Sequence, residues 1–74
     1  MAKHKGDIEI GRRAFEEVYR VFQNIEKAAR TMGCRKRIFY AWAAGDTPGG
    51  YYLALLHHYG CDVLYVLTGK RHKS

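Results

Sequence analysis

The stretch "AARTMGCRKRIFYAW", residues 28–42, decides how the rest of the chain is read. Two alanines precede a glycine, three consecutive cations follow, and an aromatic run closes it. Residues 35–44, stepped at about 100° per residue, place Ile38, Phe39 and Trp42 on one side of a helix. Arg37, Tyr40, Ala41 and Ala44 recur at i, i+3, i+4 and i+7 on the opposite side, with Lys36 at the margin. One face is therefore built for a core. The other is basic at its start, small in its middle and carries a single phenol. A solvated face normally mixes both signs of charge. This one meets no acid until Asp46. The N-terminus of a helix carries partial positive charge, so cations there cost a few tenths to about 1 kcal/mol each. A sequence that tolerates Arg35, Lys36 and Arg37 at that point implies an anion close by.

Upstream, residues 25–32 form a second helical pattern with Asn24 as its cap. Ala28 and Ala29 are small enough for a neighbouring helix to approach closely, and Met32 closes the apolar side. Gly33 accepts the left-handed backbone that ends a helix, so a turn of a few residues suffices before the next helix begins.

The same punctuation parses the whole chain. Gly33, Gly45, Gly60 and Gly69 each follow a helical pattern, which gives five helices and no strand-like alternation. The first runs from about Ile8 to Phe22, capped by Asp7, with Phe15, Val18 and Phe22 inward. Arg12, Arg13, Glu16, Glu17 and Arg20 are expected in solvent. Gly11 weakens this helix by about 1 kcal/mol relative to Ala, so its first turns should fray. After the loop "GDTPGG", a fourth helix spans about Gly50 to Tyr59. Asp62 caps a short fifth, "VLYVLTG". Tyr52, Leu55, Leu56, Tyr59, Val63, Val66 and Leu67 fit core faces, which leaves Tyr51, Leu64 and Tyr65 over. The closing "KRHKS" reads as a mobile basic tail.

Composition bounds the function. Seventy-four residues make one small domain with a thin core, a poor host for a catalytic cleft. Thirteen Lys and Arg against seven Asp and Glu give a net charge of +6, which favours polyanionic partners. No apolar run approaches the ~18 residues that span a bilayer, and the N-terminus has no secretory pattern. Cys34 and Cys61 lack metal-ligand spacing and read as small core residues in a reducing cytoplasm. Adjacent His57 and His58 point about 100° apart and do not form a metal site. No nucleophile, base and orienting residue fall together, and no phosphate-binding loop is present. No enzyme, metal, cofactor or small-molecule ligand is expected.

The segment "KAARTMGCRKRIFYAWAAGDTPGGYYLALLHHYGCDVLYVLTGK" resembles the DNA-binding domain of phage CI-type and Cro-like repressors, the Xre group of helix-turn-helix regulators. Ala29, Gly33, Phe39, Trp42, the loop with Gly45 and Pro48, and the ending Leu67, Thr68 and Gly69 carry the likeness. It covers about residues 24–70. Three positions depart from the group: Arg35 stands where Ser or Thr often caps, Cys34 replaces the usual Val, and Phe39 is larger than the usual Ile or Val. The resemblance implies an all-α, five-helix lambda-repressor-like fold with the helix-turn-helix at about 25–44. A basic arm over 1–6 precedes the domain at 7–69, and a basic tail covers 70–74.

It further implies that Arg35–Ala44 is a recognition helix. Lys36, Arg37, Tyr40 and Ala41 would face bases; Gln23, Asn24, Arg35 and Thr47 would hold phosphates. The expected partners are double-stranded DNA and, through the surplus apolar residues Leu64, Tyr65 and Tyr51, a second copy of the chain. At this length no sensing or cleavable domain is expected, which favours a Cro-like repressor at the nucleoid. The alternative is an antirepressor-like module that uses the same fold to bind another regulator.

Overall fold

The computed structural model describes residues 5–71, and side chains from Ile8 onward. Residues 1–4 of the expected arm and 72–74 of the expected tail lie outside the described residues. Five helices follow one another: α1 (Lys5–Phe22), α2 (Ile25–Met32), α3 (Lys36–Ala43), α4 (Gly50–His58) and α5 (Val63–Thr68). There is no strand among the described residues. Nor, among the described residues, is any helix long and apolar enough to cross a membrane. The all-α, five-helix reading holds.

The helix ends follow local chemistry. Asn24 takes extended backbone and its side-chain oxygen accepts the Lys27 N–H at 2.9 Å, which starts α2. At its other end Gly33 sits at φ 70°, ψ 33°, and the N–H groups of Gly33 and Cys34 both close onto the Ala29 carbonyl. Three residues, Gly33 to Arg35, then separate α2 from α3. Asp62 caps α5 through the Tyr65 N–H at 2.9 Å, as expected. Asp7 does not cap α1, because the chain is already helical at Lys5. The first helix thus reaches into the expected arm. It ends at Gln23, whose φ of 58° does without glycine the work that Gly33 does for α2. Its N–H bonds the Tyr19 carbonyl at 2.8 Å.

The core forms where α1, α2 and α3 meet α4 and α5. Val18, Ala28, Phe39, Leu56 and Val66 have no exposed surface. An aromatic ladder runs outward from it: Phe39 to Trp42 at 5.2 Å between ring centroids, Trp42 to Tyr52 at 5.5 Å, and Tyr52 to Tyr51 at 5.3 Å. The edge-on geometry of each pair suits the ring quadrupoles. Cys61 is buried and Cys34 half-buried, both as free thiols. Burial pushes the Cys61 thiol up to about 11, with the Glu17 charge adding to it, and raises that of Cys34 as well.

Four more expectations are corrected. Glu17 is not solvated; it has no exposed surface at all. Arg13 is half-buried, and its Nε donates to the Val66 carbonyl at 2.9 Å. Leu67 is not core but 43% exposed, because α5 is one short turn and a half whose Val66 alone reaches full burial. Gly11 does not mark a fraying end. It is buried where α1 rests on the end of α3: a Cβ there would overlap the Asp46 carbonyl oxygen and lie 2.7 Å from that of Trp42. Close backbone approach, which only glycine permits here, outweighs its low helix propensity.

Candidate nucleic-acid interface

α3 presents the two faces that its periodicity requires. Phe39 and Trp42 are buried and Ile38 half-buried, while Arg37, Tyr40 and Ala44 are exposed and Ala41 half-buried. Arg35, Lys36 and Arg37 are all exposed at the start of the helix. Arg35 occupies the cap position with extended backbone and forms no side-chain cap, and the first turn holds no acid. The helix therefore begins with unneutralised partial charge on its N–H groups and three cations beside them.

Ion pairing divides most cations among the described residues into two sets. Around α1 and α5 most are matched: Arg12 with Glu9 at 3.6 Å, Arg20 with Glu17 at 2.8 Å, and Arg71 with Glu17 at 2.6 Å, while Arg13 bonds the Val66 carbonyl and Lys70 is in no ion pair among the described residues. Around the α2–α3 turn they are largely unmatched. Among the described residues Lys27, Arg30, Arg35 and Arg37 are exposed and take part in no ion pair. The exception is Lys36, 3.7 Å from Glu26 of α2, with both side chains more than half exposed. A pair so exposed contributes about 0–1 kcal/mol and gives way readily to a stronger anion.

The remaining expected contact residues are placed as follows. The Tyr40 ring lies 5.8 Å from that of Phe15 on α1, tilted by 39°, and stays 54% exposed. Half of Asn24 is already engaged as the α2 cap, which leaves its amide N–H groups as donors. Gln23 and Thr47 are exposed. Of the expected dimer residues, Tyr51 is 70% and Leu64 55% exposed. Tyr65 is half-buried instead: its hydroxyl donates to Glu16 Oε1 at 2.6 Å, and the Arg71 guanidinium lies 4.0 Å over its ring. Leu67 takes its place as an exposed apolar group on α5, a residue the sequence assigns to the core. His57 and His58 are exposed on α4, and no three metal-binding side chains gather among the described residues.

What the sequence misses is the acid cluster. Glu17 accepts two hydrogen bonds from Arg20, at 2.9 and 2.8 Å, one from Arg71 at 2.6 Å, and one from the Asp62 N–H at 2.7 Å. Burial alone would raise this carboxyl, but those four donors outweigh burial and hold it at about 2. No protein-family model, curated protein or solved structure matches the chain. The reading of α3 rests on its own residues.

Proposed function

We propose that this chain is a sequence-specific DNA-binding regulator of the helix-turn-helix type, acting as a Cro-like repressor and as a homodimer. The observation that carries the reading is the partition of charge. Acids neutralise Arg12, Arg20 and Arg71 on the α1–α5 side, while the cations bracketing the α2–α3 turn stay exposed and mostly unpaired. Duplex DNA offers the regular array of anions such a surface lacks.

In this reading α3 enters the major groove with its first turn leading, as recognition helices do. Arg37 and Lys36 bond guanine edges, Tyr40 and Ala41 contact bases deeper in the groove, and Arg35, Gln23, Asn24 and Thr47 hold phosphates on either side. Phosphate binding would release Lys36 from Glu26, at little cost for so exposed a pair. No bond is made or broken. Repression would follow from occupancy of the site.

Selection from random duplex DNA at fixed salt tests the proposal, since it reports binding, motif and half-site spacing together. Affinity should fall with salt by roughly 0.9 in log K per phosphate neutralised. Arg37→Ala should relax the preference at one base pair by about 1–3 kcal/mol while the chain stays folded. Absence of any duplex binding at low salt would favour the antirepressor-like module instead.

A further inference from the structure

α5 has only six residues, too few to persist as a helix without outside support. α1 supplies that support at both ends from side chains one turn apart. Glu17 accepts the Asp62 N–H at 2.7 Å, which places a negative charge at the start of α5. Arg13 donates to the Val66 carbonyl at 2.9 Å, which places a positive charge toward its finish. Both signs suit the helix dipole.

A third residue closes the arrangement. Past the turn at Gly69, Arg71 returns along α5 to its beginning. One terminal nitrogen lies 2.6 Å from Glu17 Oε2 and 3.8 Å from Glu16 Oε1, and the other 3.5 Å from Asp62 Oδ2. The guanidinium carbon lies over the Tyr65 ring, 4.0 Å from its centroid, and the Tyr65 hydroxyl is itself fixed by Glu16. Neutralising Glu17 does not require Arg71, because Arg20 already engages both carboxylate oxygens. What Arg71 adds is a tie from the end of α5 back to its start.

We propose that Arg71 is a strap that fastens α5 to α1 and thereby decides whether α5, with Leu64 and Leu67 on its exposed side, is presented as a folded surface. The residues after Gly69 are thus not uniformly a loose basic tail: Arg71 is held by acids of the domain and is not free for phosphate. This inference stands independently of the DNA-binding reading, and its test involves no DNA.

Native-state hydrogen exchange on the full chain reads it. The reporters are the amides of Val66 and Gly69, bonded to Asp62 and Tyr65 carbonyls at 3.0 and 2.7 Å. The references are Ala28 and Ala44, whose amides bond Asn24 and Tyr40 carbonyls. Arg71→Ala should speed exchange at Val66 and Gly69 on the order of tenfold or more and leave Ala28 and Ala44 unchanged. Arg20→Ala removes an equal charge from Glu17 but makes no contact with α5 itself, so it should speed the reporters less than Arg71→Ala does. The strap is refuted if Arg71→Ala leaves Val66 and Gly69 as protected as in the parent chain. It is equally refuted if Arg20→Ala loosens them as much, or if all four amides speed up together. Should Arg71→Ala not fold, Arg71→Lys, which keeps the charge but loses the planar fork, is read against the same outcomes.

Discussion

A carboxylate with no exposed surface is expensive unless every lone pair is answered. Glu17 meets that condition through Arg20 on its own helix, Arg71 after α5 and the backbone of Asp62, with Glu16 and Cys61 as its other titratable neighbours. Its carboxyl is held at about 2 against an ordinary 4.5, so the sign of the linkage is fixed. The stabilisation is complete above pH 4.5 and is lost as pH falls toward 2. The size follows from the shift, on the order of 3 kcal/mol. Denaturant unfolding at pH 7, 4 and 2.5 should show that decline in the parent chain and a much flatter acid limb in Glu17→Gln, which is also the weaker protein at neutral pH. Identical acid limbs in the two would remove Glu17 as the source. Part of this was legible: Ala14, Glu17, Val18 and Val21 stand at i, i+3, i+4 and i+7, so Glu17 interrupts an apolar stripe and does not flank one. The donors that make the position tolerable lie at residues 62 and 71, and no local pattern links them to it.

At the scale of elements, the ends of α2, α4 and α5 were readable because cap and glycine chemistry is local. Asn24, Asp62, Gly33 and Gly69 act within a few bonds of themselves, and the structure finds them in those roles. The contact between α1 and α3 was not readable, because it joins segments thirty residues apart through a glycine that propensity alone counts as a defect. Gly11→Ala tests which effect dominates. Propensity predicts a gain of about 1 kcal/mol. Overlap with the Asp46 and Trp42 carbonyls predicts a net loss of about 1–3 kcal/mol, since backbone cannot swing aside as a side chain can. Thermal unfolding should therefore show Tm falling by roughly 4–8 °C per kcal/mol lost. A higher Tm would mean that α1 is free to move off α3. The outward direction of the α3 cations was legible, because an eight-residue helix with Phe39 and Trp42 on one side leaves them no other, although Ala41 on the same face is half-buried.

Taken whole, the Cα positions form a flat body spanning 34 × 31 × 19 Å. Equivalent points on one face of a duplex recur about every 34 Å, one helical turn. The two longer dimensions are close to that spacing and the shortest is well under it. An eight-residue α3 is about 12 Å long and reaches only a few base pairs, so a single copy has a weak basis for choosing its site. A second copy is what the proposed function needs. The apolar groups open for that contact are Leu64 and Leu67 on α5 and Tyr51 on α4; Tyr65 is largely occupied by Glu16 and Arg71. Sedimentation across a range of concentrations should find a dimer in the parent chain. In Leu64→Glu it should find a monomer of unchanged helical content, because a half-exposed side chain contributes little to the fold. The variant should bind an isolated half-site as the parent does and lose the added affinity for two half-sites one turn apart. If Leu64→Glu sediments as the parent does, α5 is not the contact and the second copy must approach from another edge.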